Sequence, residues 1–338
     1  MRLILFRATF ALLLPLAAAC RYDSTAPSYA IPDGLWTVSG SPVAVLRLAT
    51  DQLSGTGERT PAIAITTPSA GLFSIVGVAF DRDGTMWLAS QEDSLLLAFA
   101  PATLTASGSR AASTIIAPSA GSLSGPTSLA FDRAHHLWVA NFGNGTVVRL
   151  DPGQLASSGA PAPAVILTGL GHPTAIAFDA AGSLWVSDLQ ARTVTGFPPM
   201  ELIASGSPSS SIVLRGAASS LAVPGGLAFD ASGNLWVANF GSRTLVAFTA
   251  AQLAAGGSPA PDVVVRSTAG SLSTPEGLAF DAGGNLWVMN LGGALEQFGR
   301  ADLGSSGAPA PRARLVVSGH LDFWSVAFWP KPAGLPLN

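Results

Sequence analysis

The feature that most constrains this chain is an internal repeat with steps of 47 to 51 residues. Its clearest copy, GGLAFDASGNLWVANFGSRTLVAFTAAQLAAGGSPAPDVVV, runs from Gly225 to Val265. A period of this size is typical of propellers, solenoids and tandem arrays. Three residues mark the repeat, a Phe, a Trp and a Leu, and each occurs six times at the repeat spacing. They are Phe80, Phe131, Phe178, Phe229, Phe280 and Phe328; Trp36, Trp87, Trp138, Trp185, Trp236 and Trp287; and Leu53, Leu104, Leu155, Leu202, Leu253 and Leu303.

Each unit contains four β-rich segments separated by turn residues, as in 226–230, 234–239, 244–249 and 262–266. This pattern predicts one four-stranded antiparallel blade per unit. Asp230 and Asp281, in D-x-x-G turns, are interpreted as turn formers, because Asp bonds its own backbone and Gly accepts a positive φ. The connection between the third and fourth segments is rich in proline, which cannot donate to a ladder, so we expect it outside the sheet on the outer rim.

The two ends of the chain carry complementary halves of one unit. Trp36 has no Phe-bearing segment before it, and Phe328 has no Trp-bearing segment after it. Segments 35–39, 43–48 and 62–66 therefore join segment 325–328 in a closing blade, which removes exposed sheet edges. The sequence predicts an all-β, six-bladed β-propeller with the six tryptophans packed between blades. An outer-membrane barrel needs longer strands, and an open solenoid or sandwich array does not explain the half units.

Composition limits the function classes. Only 11% of residues are charged, 37 are Gly and 25 are Pro, and the formal net charge is −3, so no basic stripe points to nucleic acid.

The N-terminus has Arg2 and Arg7, then an apolar run, then the only cysteine, Cys20. We expect a lipoprotein signal peptide at 1–19, lipidation of Cys20, a tether at 20–30 and the propeller at 31–338. An ordinary cleaved signal with an incidental cysteine is the alternative; both place the protein in a bacterial cell envelope, at the outer membrane or in the periplasm.

The pattern P-x-G-L-A-F-D-x-x-G-N-L-W-V-x-N, clearest at 224–239 and 275–290, resembles the repeats of NHL proteins, gluconolactonase-like lactonases and streptogramin B lyases. In the lactonases the resemblance implies metal ligands at the starts of the inner strands. In this chain the equivalent positions hold Val76, Thr127, Thr174, Gly225, Glu276 and Trp324. Only Glu276 is a carboxylate. The lyases place catalytic His near such positions, which leaves open a pair formed by His172 and His320. His135 and His136 fall in a hairpin turn expected on the opposite face.

Polar residues end the second strand of every unit: Ser39, Ser90, Asn141, Asp188, Asn239 and Asn290. Two interpretations stay open, namely local bonds to turn backbone or a polar rim around a funnel, with Phe142, Phe240, Phe323 and Trp324 as nearby aromatic surface. The predicted ligand-binding residues are Glu276, Asn290, Trp324, Asn239, Asp188 and Asn141.

These residues lead to a functional expectation. We expect a monomeric, non-enzymatic module that binds a small molecule, glycan or protein, with no catalytic residue, tightly bound metal, cofactor or nucleic acid and with the membrane reached through the lipid only. A lactonase-type hydrolase or a streptogramin-lyase-like enzyme acting at the funnel is the alternative, and a mainly structural role is a third.

The lipid anchor has a direct test. Changing Cys20→Ala removes the thiol that would carry the lipid, so the variant should leave the detergent phase and partition into water while its circular dichroism spectrum stays unchanged. Identical partitioning of the parent protein and the variant would contradict lipidation at Cys20.

Overall fold

A computed structural model of the chain describes residues 31–67, 74–208, 212–215, 221–266, 268, 271–333 and 335. The expected signal peptide, Cys20 and the tether lie outside the described residues. The strands are β1 (Gly34–Ser41), β2 (Val43–Ala49), β3 (Gly57–Arg59), β4 (Ile63–Thr66), β5 (Ile75–Phe80), β6 (Met86–Ser90), β7 (Leu95–Phe99), β8 (Gly108–Ser109), β9 (Thr114–Ile116), β10 (Pro126–Phe131), β11 (Leu137–Asn141), β12 (Thr146–Leu150), β13 (Val165–Leu167), β14 (Pro173–Phe178), β15 (Leu184–Asp188), β16 (Thr193–Phe197), β17 (Ile212–Leu214), β18 (Pro224–Phe229), β19 (Leu235–Asn239), β20 (Thr244–Phe248), β21 (Val263–Arg266), β22 (Pro275–Phe280), β23 (Leu286–Asn290), β24 (Ala294–Phe298), β25 (Ala313–Val317) and β26 (Leu321–Trp329).

Helices are short and lie in connections. The α-helices are α1 (Pro152–Leu155) and α2 (Ala250–Ala255), and 3-10 turns occupy Thr50–Gln52, Pro101–Leu104, Pro199–Glu201, Phe240–Ser242 and Arg300–Leu303. Among the helices that the structure describes, none has the length and apolar character needed to cross a membrane.

The strands form six four-stranded antiparallel blades, as the repeat predicts. From the inside outwards, blade 1 is β26-β1-β2-β4 and blade 2 is β5-β6-β7-β9. Blades 3 to 6 follow as β10 to β13, β14 to β17, β18 to β21 and β22 to β25. The inner strands contact one another in a closed cycle, β26, β5, β10, β14, β18, β22 and back to β26. The fold is therefore a six-bladed β-propeller.

Blade 1 closes the ring with strands from both ends of the chain. Leu35 pairs with Phe328 and Trp36 with Ala327 across the antiparallel β1–β26 ladder. The predicted shared blade is confirmed. Strand β26 begins at Leu321, earlier than the expected 325, and a register shift between Thr37 and Ser39 accommodates the extra residues.

The Phe and Trp markers meet between blades. The six tryptophans that mark the repeat are buried, at 3% exposure or less. At five of the six blade boundaries the Trp of one blade packs edge-on against the Phe of the next, an arrangement that aromatic quadrupoles favour. The ring centroids are 5.9 Å apart for Trp36 and Phe80, 6.1 Å for Trp138 and Phe178, 6.4 Å for Trp185 and Phe229, 6.3 Å for Trp236 and Phe280, and 6.5 Å for Trp287 and Phe328.

The Asp of the first hairpin turn has two structural tasks. In Asp230, Oδ1 accepts the backbone N–H groups of Ser232 and Asn234, which confirms the turn-forming interpretation. Its Oδ2 accepts the indole N–H of Trp236 at 3.3 Å, a bond that the sequence analysis missed. Asp132, Asp179 and Asp281 bond their own blade tryptophans in the same way.

The proline-rich connection corrects one expectation. It leaves the sheet of its own blade, but one of its glycines forms a parallel bridge with the outer strand of the preceding blade. Bridges join Leu315 to Gly57, Ile65 to Gly108, Ile116 to Gly159, Leu167 to Gly206, Leu214 to Gly257 and Val265 to Gly307. Because each bridge crosses a blade boundary, the outer rim also resists separation of the blades.

Candidate functional site

A cavity of about 340 Å³ runs along the propeller axis, and all six inner strands contribute to its wall. The wall is mainly apolar, with side chains from every blade: Val78, Leu129, Ile176, Leu227, Leu278 and Val326. This volume lies within the range of small-molecule pockets. At one end the cavity reaches the starts of the inner strands, and at the other it reaches the first hairpin turns and residues 329–332.

Glu276 supplies a carboxyl group at the first of these ends. It is the second residue of β22 and lies in a β-bulge, because the β22–β23 register shifts between Pro275 and Leu278. A bulge re-aims side chains. The carboxyl packs against Gly225 of the neighbouring blade, where a Cβ would lie 2.6 Å from Glu276 Oε2. Because residue 225 is a glycine and has no Cβ, the Glu276 carboxyl has room to lie there.

The Glu276 carboxyl has no hydrogen-bond or ion-pair partner among the described residues. Burial raises the pKa of Glu276 from 4.5 to about 7, because water that would stabilise the charged form is displaced by apolar walls. Near neutral pH the group therefore exists in both protonation states. It can donate a hydrogen bond in one state and accept bonds in the other.

Trp324 lines the same cavity as Glu276. It is partly exposed, and it is the large aromatic side chain that the sequence places at the starts of the inner strands. Its indole packs on Gly40, where a Cβ would lie 3.1 Å from Trp324 Nε1. The structure thus brings together two of the six predicted ligand-binding residues.

The other four predicted residues, Asn141, Asp188, Asn239 and Asn290, are exposed by 1% or less. Each accepts hydrogen bonds from backbone N–H groups in the connection that leads into its own blade. The donors are Ser124 for Asn141, Gly171 and His172 for Asp188, Ala222 and Val223 for Asn239, and Thr274 for Asn290. This geometry matches the local interpretation of the polar ring, and none of the four lines the cavity.

Asn290 was expected to accompany Glu276, and the structure places it elsewhere. Its Nδ2 donates to Glu296 Oε2 at 3.1 Å. Glu296 is fully buried, accepts the N–H of Leu272, and pairs with Arg314 at 3.1 Å. Asn290 is therefore part of a structural network inside blade 6. Phe323, expected as aromatic surface, is also fully buried, because it packs in the core between blades 1 and 6.

The inner-strand starts do not fit a hard divalent cation of the lactonase kind. Such an ion needs several converging oxygen ligands, and Glu276 is the only carboxylate at these positions. The hydroxyls of Thr127 and Thr174 donate to the carbonyls of Pro173 and Pro224. Within the described ranges, no group of three or more His, Cys, Asp and Glu side chains could hold a metal ion.

The two histidines left open by the sequence lie on opposite sides of the ring, because His172 precedes blade 4 and His320 precedes the inner strand of blade 1. The His172 ring stacks on Phe142 with centroids 4.5 Å apart, and His320 Nδ1 lies 3.4 Å from Ser39 Oγ. Neither lines the axial cavity. The structure does not assemble them into a pair.

The second end of the cavity was missed by sequence reasoning. Arg82, His135, Trp329 and Lys331 line it. Burial and the nearby positive charge of Arg133 lower the pKa of Lys331 to about 8. A signal was present, because Lys331 is the only lysine in the chain and follows Phe328 at the position where other units carry the D-x-x-G turn.

No protein-family model matches this sequence, and no curated protein matches it. Solved structures do resemble it. A chain of the nidogen/laminin complex is 15% identical with a TM-score of 0.63, covering 88% of this chain and 98% of that one. A protein of unknown function from Bacteroides caccae is 13% identical with a TM-score of 0.57, covering 89% and 100%. A catalytically inactive virginiamycin B lyase from Staphylococcus aureus, solved with quinupristin, is 11% identical with a TM-score of 0.51, covering 79% and 80%. These likenesses establish the fold alone.

The raised pKa of Glu276 predicts how stability depends on pH. The folded protein binds this proton more tightly than the unfolded chain, so the stabilisation is full below pH 4.5 and is lost as the pH rises through about 7. Relative to Glu276→Gln, the free energy of unfolding of the parent should fall over this window, on the order of 1–3 kcal/mol. Urea denaturation from pH 4 to 8 measures it. The exposed Glu92→Gln is the matched control, and a pH-independent difference for Glu276→Gln would contradict the account.

Proposed function

We propose that this protein is a ligand-binding β-propeller of the bacterial cell envelope that holds a small, largely apolar molecule in its axial cavity. Glu276 hydrogen-bonds a polar group of that molecule, and Trp324 packs against it. The observation that carries the proposal is the Glu276 carboxyl, which stands without a partner among the described residues in an apolar cavity.

Free energy supports this assignment. Glu276 is partly exposed to the cavity and not sealed in the core. Once a ligand displaces the water there, a carboxyl without a hydrogen-bond partner costs on the order of 1–3 kcal/mol. A desolvated carboxyl with a shifted pKa inside a cavity is a typical mark of a functional site. A ligand that supplies the missing partner would recover this free energy on binding. The cavity is also more suitable for a small molecule than for a protein, because the inner strands enclose it.

The chemistry of the walls limits the ligand. With a pKa of about 7, Glu276 can pair with a hydroxyl, an amide or an amine. The Trp324 indole offers a flat apolar surface beside it. The aliphatic and aromatic side chains between the two ends favour a ligand with an apolar body and a polar end.

Catalysis is the second candidate, and one observation favours it. A carboxyl with a pKa of about 7 is well matched to general acid–base chemistry at neutral pH. Desolvation is the cause of its shift, so no charged group in the described part of the chain acts on Glu276 as a catalytic partner would. The virginiamycin lyase likeness adds nothing to this choice, because one scaffold hosts many functions. We therefore place binding first.

The location is part of the proposal. Arg2, Arg7, the apolar run after them and Cys20 support export and lipid anchoring, which would leave the propeller facing an aqueous envelope compartment. The ligand would then be an extracytoplasmic molecule.

Blocking the cavity tests the proposal. The probe is 1,10-decanediol, which is apolar in its body and neutral at both ends. Calorimetry should detect saturable one-to-one binding by the parent protein. Leu227→Trp places a larger side chain in the cavity wall and should reduce the affinity at least tenfold. Ile203→Trp, at a position that is 75% exposed, adds the same side chain outside the cavity and should bind as the parent does.

Absence of saturable binding by the parent, or equal affinities of the two Trp variants, would overturn the binding proposal. Turnover of a lactone or ester panel that disappears in Glu276→Gln would instead establish the enzymatic alternative.

A further inference from the structure

Basic side chains and carboxylates lie close together at the end of the cavity opposite Glu276. Three basic side chains meet there: Arg82 and Lys331 line the cavity, and Arg133 lies close enough to Lys331 to act on its charge. Of their acidic neighbours, Asp81 also lines the cavity, and both Asp81 and Asp83 have partners of their own. Asp81 Oδ1 accepts the backbone N–H groups of Asp83 and Thr85, and Asp83 pairs with Arg82 at 3.5 Å.

The remaining carboxylate of this region, Asp132, is also occupied. It accepts the indole N–H of Trp138 and contacts His136 Nδ1 at 2.7 Å. Lys331 therefore has no ion-pair partner among the described residues, although it is partly buried and faces a like charge. An ammonium in this setting attracts an anion, because partial desolvation strengthens the interaction.

The Glu276 end and the Lys331 end of the cavity are separated by the length of an inner strand. In blade 1, Trp324 stands at the level of Glu276, and Phe328 stands four residues further along β26, just before Lys331. Four residues of a strand span about 13 Å. An extended chain of ten bonds spans about 11–12 Å, since three backbone bonds cover about 3.3–3.6 Å. A ligand of that length reaches both ends at once.

We propose that the ligand is an amphipathic carboxylate, which pairs its anionic group with Lys331, places its apolar chain between the inner strands and extends its far end to Glu276. This inference rests on the proposed binding function and adds the charge and length of the ligand. The Lys331 ammonium acts as a compact point charge with three donors, which can pair with one carboxylate.

Two probes of equal length test the inference. 10-Hydroxydecanoate has a carboxylate where 1,10-decanediol has a hydroxyl. The parent protein should bind the hydroxy acid about tenfold or more tightly than the diol at pH 7, as expected for a hydrogen bond to a charged group. In Lys331→Met this advantage should disappear while the affinity for the diol stays unchanged. Lys331→Arg should keep most of the advantage.

Arg266→Met is the matched control, because it removes one positive charge from an exposed residue on the outer strand of blade 5, outside the cavity. It should preserve the preference for the hydroxy acid. Equal affinities of the parent for both probes, or an undiminished preference in Lys331→Met, would overturn this inference and leave the binding function standing. Failure of the parent to bind either probe would overturn both.

A chemical readout works without a variant. Lys331 is the only lysine, so acetylation by acetic anhydride can be followed on one peptide by mass spectrometry. The hydroxy acid at saturation should slow acetylation of Lys331 at least several-fold more than the diol at saturation. Equal protection by the two compounds would contradict contact between the carboxylate and the ammonium.

Discussion

The structure depends on one contact that recurs between blades, the edge-on packing of a Trp from one blade on a Phe from the next. Four of the blade tryptophans are also fixed by an Asp in their own hairpin turn, as Asp230 fixes Trp236. In blades 1 and 2 the indole N–H groups of Trp36 and Trp87 are buried without a partner in the described part of the chain. Since β26 supplies Phe328 to Trp287 and pairs with β1, this strand completes both the ladder of blade 1 and the aromatic contact between blades 6 and 1.

Most of the fold could be predicted from the sequence because every blade repeats the same strands and the same packing residues. Six Phe and six Trp markers count the blades, and the half units at the two ends fix how the ring closes. The inter-blade bridges could not be predicted in the same way. The bridge of Ile116 to Gly159 uses backbone groups, and the sequence shows only a Ser-Gly segment before prolines. Such a segment is also what an ordinary surface loop contains.

The site was predicted only where it breaks the repeat. Glu276 stood out because the equivalent positions hold no other carboxylate, and it lines the cavity. Asn141 and Asn239 looked equally suitable, but a repeated polar residue can satisfy turn backbone as readily as it can face a funnel, and here it bonds the backbone. Lys331 was missed because it follows the last strand, where the repeat has ended. Its importance depends on the three-dimensional closure that brings the tail beneath the inner strands.

The account holds that the axial cavity binds one extended ligand with a charged end and a neutral polar end. The most direct measurement is a crystal structure of the wild-type protein with 10-hydroxydecanoate. The account predicts continuous density along the axis, with the carboxylate within hydrogen-bond distance of Lys331 Nζ and the hydroxyl at the Glu276 carboxyl. Density confined to the outer surface, or a cavity filled only by water at saturating ligand, would contradict it.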